Sequence, residues 1–167
     1  MPGQVKIEDR HGQIDVERLY RLNGPAILAY IRRIVGDGEA ARDLLQETFA
    51  QALKFPERIE AARSPRSWLF GVARRLALNS VRRSRRAGSL PADLGEAAPP
   101  TDKRLELVRD AIGQLPEPMR ETLELRLTDE LTYRQIAEVM GAPLGTVRSR
   151  IHQAVGRLRR SLTGEAK

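Results

Sequence analysis

Apolar residues recur every three or four positions along most of this chain, a spacing that places them on one face of an α-helix. The pattern covers residues 15–35, 39–54 and 64–86 in the first half, and several shorter segments between 105 and 162 in the second. No stretch alternates apolar and polar residues as a β-strand would, so the pattern predicts an all-α fold. Within the first segment, Gly24-Pro25 is expected to bend or interrupt the helix.

The segment over residues 87–102 breaks this periodicity. It is rich in Pro, Gly and Ala, contains no Lys or Arg, and carries three acidic residues. Such a composition is typical of a flexible linker between domains. We therefore predict two small helical bundles, one over residues 14–86 and one over residues 103–163, joined by this linker. Four helical segments follow the linker and make up the second bundle.

The last two helical segments, within residues 132–160, have the layout of a DNA-reading helix-turn-helix. Thr132 followed by Gln135 is a capping box, which begins a helix. Gly141 suits the left-handed position that ends one. The sequence therefore predicts a short capped helix, a tight turn and a longer second helix.

The outer face of that second helix favours DNA binding over a solvated helical hairpin. Its charged residues are arginines to the near exclusion of acids, and its other polar residues are Ser149, His152 and Gln153. Arginine binds phosphates, and these polar side chains can hydrogen-bond to base edges in the major groove. A hairpin with a merely solvated face is the alternative, and it does not explain the single sign of the charge.

A second arginine-rich face lies on the helix predicted to begin at Ser64-Pro65, where Ser caps the helix and Pro occupies its first turn. Five arginines fall opposite its apolar residues, and no acid occurs between Ala61 and Ala92. A face with one sign of charge repels itself unless an anion lies against it, so we predict a contact with a phosphate backbone. Trp68 in the same helix either packs in the core or stacks on an unpaired base.

The helix over residues 39–54 carries Asp43, Gln46 and Glu47 opposite its apolar residues. A polar outer face needs no binding partner, and on composition alone a solvated surface is the simpler interpretation. The pattern by itself therefore assigns no function to these three residues.

Composition narrows the class of partner. The chain has 167 residues, a formal net charge of +7 and a pI near 10.5, which points to a polyanion such as nucleic acid. With no cysteine there are no disulfides and no thiolate metal sites, and no apolar run is long enough to span a membrane. The N-terminal residues contain no apolar signal region, so we expect a soluble cytoplasmic protein.

Three segments of the chain resemble those of a known family, the extracytoplasmic-function (ECF) class of bacterial RNA polymerase sigma factors in the sigma-70 family. They are DLLQETFAQAL at residues 43–53, WLFGVARRLALNSVRR at residues 68–83 and LTYRQIAEVMGAPLGTVRSRIHQAVGRLR at residues 131–159. The resemblance extends over about residues 19–162, and the order and spacing of the segments make it specific. It implies that the two bundles are similar to sigma region 2 and to sigma region 4, the second with its helix-turn-helix.

The resemblance implies three sets of contacts that the periodicity does not assign. The first set would bind the clamp helices of the largest subunit of core RNA polymerase, and consists of Asp43, Leu44, Gln46 and Glu47. The second would open the −10 promoter element and hold its exposed single strand, and consists of Arg66, Trp68, Arg74, Arg75, Asn79, Arg82 and Arg83. The third would bind the −35 element as duplex DNA, and consists of Thr146, Arg148, Ser149, Arg150, His152, Gln153 and Arg157.

The resemblance also implies further partners. Sigma region 4 meets the polymerase flap, and factors of this class are usually restrained by an anti-sigma factor. The family's linker passes into the RNA exit path, where Asp93, Glu96 and Asp102 would mimic the charge of RNA. These expectations describe a promoter-specificity subunit that acts in the cytoplasm at the nucleoid, without membrane insertion.

Two positions depart from the family pattern. Arg75 stands where the family often has Asn, close to a flipped −10 base, so no −10 base preference follows from the resemblance. His152-Gln153 stands where an aromatic residue or His followed by Arg is usual. Glutamine can make a bidentate hydrogen bond to adenine, so Gln153 is a candidate base-reading residue.

Three other functions compete with this interpretation. A repressor or activator acting without polymerase would share the helix-turn-helix but would not need the first bundle. A sigma-like decoy for an anti-sigma factor would not need a basic recognition helix. An enzyme such as a recombinase would need converging catalytic groups, and the only histidines are His11 and His152. We therefore predict no catalytic residue, no metal site and no cofactor, and the sequence has no phosphate-cradling Gly loop.

Overall fold

The computed structural model describes residues 14–89 and 102–164. These residues form two compact units of four helices each. The first unit contains α1 (Val16–Val35), α2 (Gly38–Lys54), α3 (Pro56–Ala61) and α4 (Pro65–Arg86). The second contains α5 (Lys103–Gly113), α6 (Glu117–Leu127), α7 (Tyr133–Met140) and α8 (Leu144–Thr163). The predicted all-α fold with two helical bundles is confirmed.

The core of the first unit lies where α1, α2 and α4 pack against one another. Leu19 and Ile27 of α1 and Leu69 and Phe70 of α4 have no exposed surface. The Tyr30 ring packs against the Phe70 ring with centroids 5.2 Å apart. Each large apolar side chain buried in this way stabilises the fold by about 1.5–3 kcal/mol. These contacts hold α4 at a defined position on α1.

α1 continues through Pro25 as a single helix of 20 residues. Of the predicted bend or interruption at Gly24-Pro25, the interruption does not occur. Proline removes one backbone donor and its ring crowds the carbonyl four residues earlier, which costs a helix interior about 3 kcal/mol. Leu19, Asn23 and Ile27 are buried on one face across this point, and the packing of that face outweighs the local cost of proline.

The connection from α2 to α4 contains a helix that the periodicity does not predict. α3 has six residues, too few for an apolar repeat to be visible. It begins at Pro56 and buries Ile59 in the core. α4 then begins as predicted, with Pro65 as its first residue and Ser64 Oγ accepting from the Ser67 N–H at 3.3 Å.

The second unit packs α5, α6 and α7 against α8, which is its longest helix. Its core cluster consists of Leu115, Met119, Leu123, Ile151 and Ala154. Because α8 contacts all three of the other helices, one side of α8 is covered and the opposite side remains exposed.

Among the apolar residues that recur at helical spacing, five leucine and valine residues are exposed in the structure. Each is 44% exposed or more: Leu53, Leu105, Leu127, Val155 and Leu162. All except Val155 lie in the first or last turn of their helix. Near a helix end fewer neighbouring helices lie against the apolar face. The apolar residues of that face therefore continue past the part of the helix that is buried.

Candidate nucleic-acid interface

α7 begins with the capping box that the sequence predicts. Thr132 Oγ1 accepts from the Gln135 N–H at 3.2 Å, and Gln135 Oε1 accepts from the Thr132 N–H at 2.9 Å. Gly141 directly follows α7 as its C-cap, with a φ of 58° in the left-handed region. These two local signals set the length of α7 and, through the short Ala142-Pro143 connection, place the start of α8. The predicted helix-turn-helix is confirmed.

The outward face of α8 carries the residues predicted to bind duplex DNA. Five of them are exposed, namely Arg148, Ser149, His152, Gln153 and Arg157. Thr146 and Arg150 are half-buried. α8 contains no acidic residue, so the whole face is positive and suits a phosphate backbone.

α4 presents most of the predicted −10 residues at its surface. The exposed ones are Arg75, Asn79, Arg82 and Arg83, and the half-buried ones are Trp68 and Arg74. α4 also lacks acidic residues. Its exposed face therefore has the same single sign of charge as that of α8. The half-buried Trp68 keeps part of its surface accessible while the rest packs in the unit.

A shallow depression on the first unit joins two of the predicted contact sets. From α4 it is lined by Asn79, Arg82 and Arg83, which belong to the −10 set. From α2 it is lined by Glu47, which belongs to the polymerase set. The other lining residues are Leu76 and Arg86. Leu76 is not among the predicted contacts, whereas Arg86 is one of the five arginines of α4 predicted to face a phosphate backbone.

Arg66 does not join the exposed arginines. Its Nη1 donates to Asn23 Oδ1 at 2.8 Å, and its guanidinium lies 5.3 Å from the centre of the Phe70 ring. Asn23 is buried, and a buried amide oxygen needs a donor. This side chain therefore ties the start of α4 to α1, and its role as a −10 contact stays a prediction.

α2 exposes three of the four residues predicted to bind polymerase, namely Asp43, Gln46 and Glu47. The fourth, Leu44, is only 6% exposed and packs in the core. Successive residues of an α-helix are about 100° apart around the axis. Leu44 therefore points away from the face of Asp43 and packs in the core, and its role as a polymerase contact stays a prediction.

Of the three acids predicted to mimic the charge of RNA, only Asp102 lies among the described residues. Asp102 Oδ1 accepts from the Arg104 N–H at 2.9 Å and caps α5, so this carboxylate has a local role. Asp93, Glu96 and His11 lie outside the described residues.

The described residues form neither a metal centre nor a membrane span. Across residues 14–89 and 102–164, no three His, Asp or Glu side chains come together in a group that could hold a metal ion. The helices of this part of the chain are also too short or too polar to cross a membrane.

Comparison with known proteins matches the two units to the two sigma regions that the sequence resembles. Sigma-70 region 2 matches residues 19–87, and sigma-70 region 4 matches residues 105–158. The ECF RNA polymerase sigma factor SigL of Mycobacterium tuberculosis is 32% identical over 154 residues, with 86% of each chain covered. The RNA polymerase sigma-H factor of Pseudomonas aeruginosa is 34% identical over 146 residues, covering 77% of this chain and 76% of that protein.

The fold also matches a solved sigma factor. RpoE, in its complex with the anti-sigma factor NepR from Bartonella quintana, superimposes with a TM-score of 0.70 over 88% of this chain and 96% of RpoE, at 24% identity. The chain belongs to the sigma-70 family and is an RNA polymerase sigma factor of the ECF class. The resemblance seen in the sequence is thereby confirmed.

Proposed function

We infer that the protein binds core RNA polymerase through α2 and uses α4 and α8 to bind two separate parts of a promoter. The observation that carries this proposal is that each unit presents one long helix whose exposed polar face is rich in arginine and free of acids. A solvated helix face normally mixes both signs of charge, because like charges four residues apart repel. Two such faces in one chain are explained together if both bind DNA.

α8 binds the −35 element as duplex DNA. Its arginines neutralise phosphates and set the register of the helix in the major groove, while Ser149, His152 and Gln153 face the base edges. Thr146 lies in the first turn of α8, where free backbone N–H groups favour a phosphate. Phosphate contacts position the helix, and the three polar side chains carry the sequence preference.

α4 holds the non-template strand of the −10 element after the duplex opens. Arg82 and Arg83 contact its phosphates, and Trp68 offers its accessible ring surface for stacking on an unpaired base. Asn79 lies in the same depression as these arginines and can hydrogen-bond to a base. The captured bases and phosphates supply the free energy of opening, so the protein needs no catalytic residue, metal ion or nucleotide cofactor.

The exposed residues Asp43, Gln46 and Glu47 of α2 bind the clamp helices of the largest polymerase subunit, and the second unit meets the flap. The domains extend over residues 14–86 and 103–163, with the linker between them in the RNA exit path. The structurally similar RpoE is held in a complex with the anti-sigma factor NepR, and we expect a partner of the same kind here. The protein acts in the cytoplasm at the nucleoid.

Reversing the charge of α2 tests the polymerase contact. Asp43→Arg combined with Glu47→Arg should abolish binding to core polymerase in a pull-down and abolish run-off transcription from genomic fragments. The same variant should still bind duplex DNA, because α8 belongs to the other unit. The matched control, Glu17→Arg with Glu60→Arg, makes the same charge change on exposed acids elsewhere in the first unit and should retain both activities.

Two outcomes would contradict the proposal at different levels. If the α2 variant binds core polymerase as tightly as the wild-type protein, the face of α2 is only a solvated surface. If the wild-type protein with core polymerase initiates on no genomic fragment, the promoter function itself is wrong.

A further inference from the structure

Two candidate base-reading residues of α8 are joined to each other by a hydrogen bond. Ser149 and Gln153 are both exposed, and Gln153 Nε2 donates to Ser149 Oγ at 3.1 Å. Their separation of four positions places both side chains on the same face of the helix. The Gln153 amide is therefore held by the protein's own surface before DNA binds.

This bond leaves free the groups of the amide that adenine requires. A glutamine amide has two N–H donors and one carbonyl acceptor. One N–H of Gln153 is used by Ser149, so the other N–H and Oε1 remain. In the major groove, adenine presents an acceptor at N7 and a donor at N6, whereas guanine presents two acceptors. Oε1 of Gln153 can therefore pair with adenine, and it would repel O6 of guanine.

We propose that Ser149 is a positioning residue that sets Gln153 to select adenine in the −35 duplex. The proposal rests on the proposed binding of α8 to duplex DNA. A free glutamine side chain loses rotational freedom when it binds a base, and this loss opposes binding. A side chain already held by Ser149 has less freedom to lose. The Ser149 oxygen acts as the acceptor in this bond, so its own proton is available to a neighbouring phosphate.

The test uses the full-length protein bound to bacterial core polymerase, with a library of DNA duplexes randomised in the upstream region. Sequencing the bound duplexes gives the preferred base at each position for the wild-type protein and each variant. We expect Gln153→Ala to lose an adenine preference of about 5- to 150-fold at one position, which corresponds to about 1–3 kcal/mol for a bidentate pair. Ser149→Ala should weaken the same preference by about 2- to 12-fold, as loss of one hydrogen bond predicts.

A double variant separates positioning from direct contact. If Ser149 acts through Gln153, Ser149→Ala has no further effect on base preference in the Gln153→Ala background, whereas independent contacts give effects that multiply. Ser149→Thr keeps the hydroxyl and should keep the preference. Ser161→Ala changes an exposed serine further along α8 and should leave the preference unchanged. Replacing the selected adenine with 7-deazaadenine, which lacks the N7 acceptor, should lower the affinity of the wild-type protein but not that of Gln153→Ala.

Failure of this inference is distinguishable from failure of the proposed function. If the wild-type complex selects no upstream duplex motif, the −35 function is wrong and the role of Ser149 is lost with it. If it selects a motif that Gln153→Ala leaves unaltered, the −35 function stands and the adenine contact is wrong. If the effects of Ser149→Ala and Gln153→Ala on base preference multiply, Ser149 contacts a base by itself and does not position Gln153.

Discussion

At the scale of single residues, Glu130 holds a backbone conformation that suits glycine. Its φ is 54°, and within the described ranges no other non-glycine residue has a positive φ. The left-handed conformation costs a residue with a side chain about 1–2 kcal/mol, whereas glycine adopts it freely but loses about 0.5–1 kcal/mol of chain entropy on folding. We expect Glu130→Gly to raise the free energy of unfolding by about 0.5–1 kcal/mol in urea denaturation. Glu130→Ala removes the acid but keeps the strain, so an equal gain in both variants would attribute the effect to charge.

Arg66 is a second residue whose role can be measured. Arg66→Met removes the charged donor from the buried Asn23 Oδ1, and we expect it to lower the free energy of unfolding by about 1.5–3 kcal/mol. Combining it with Asn23→Leu replaces both partners by apolar groups, so the double variant should be more stable than Arg66→Met alone. Denaturation of the two single variants and the double variant completes the cycle. If Arg66→Met instead unfolds normally and weakens −10 binding, Arg66 is the DNA contact that the family resemblance implies.

At the scale of helices, the ends with side-chain caps were predictable because capping is local. Thr132 and Gln135 exchange their hydrogen bonds across three positions, and Ser64 caps α4 over the same distance. By contrast, α3 has only six residues, and α1 runs through Pro25 because α2 and α4 pack against it. Those contacts join residues that are distant in sequence, so no local pattern contains them.

The residues of the candidate site were likewise predictable where the signal lies within one helix, and not where it depends on a contact between distant residues. The arginine faces of α4 and α8 follow from the composition of single helices, and both were predicted. The role of Arg66 depends on a partner 43 positions away, and that partner could not be inferred from either segment. Leu44 was assigned to the polymerase set by its motif, although the apolar spacing of its own helix places it inside. Leu44 is buried as that spacing predicts, because burial depends on the helix face and not on the motif.

At the scale of the whole molecule, the two arginine faces belong to different units and are proposed to bind DNA in different states. Each phosphate that an arginine neutralises releases counterions, so log affinity falls with log salt concentration by about 0.9 per duplex phosphate and about 0.7 per single-strand phosphate. The salt dependence of promoter binding should therefore contain two separable contributions, one from α4 and one from α8.

Arg83→Ala and Arg150→Ala test this division in the complex of protein, core polymerase and promoter DNA. The slope of log affinity against log salt should become shallower by about 0.7 for Arg83→Ala, about 0.9 for Arg150→Ala and about 1.6 for the double variant, since effects in separate units add. Arg109→Ala in α5 removes the same charge from an exposed position outside both faces and should leave the slope unchanged. An equal change for Arg109→Ala would mean that the slope reports net charge alone. A double variant no shallower than either single variant would mean that both arginines neutralise the same phosphates, which two separate DNA-binding faces cannot do.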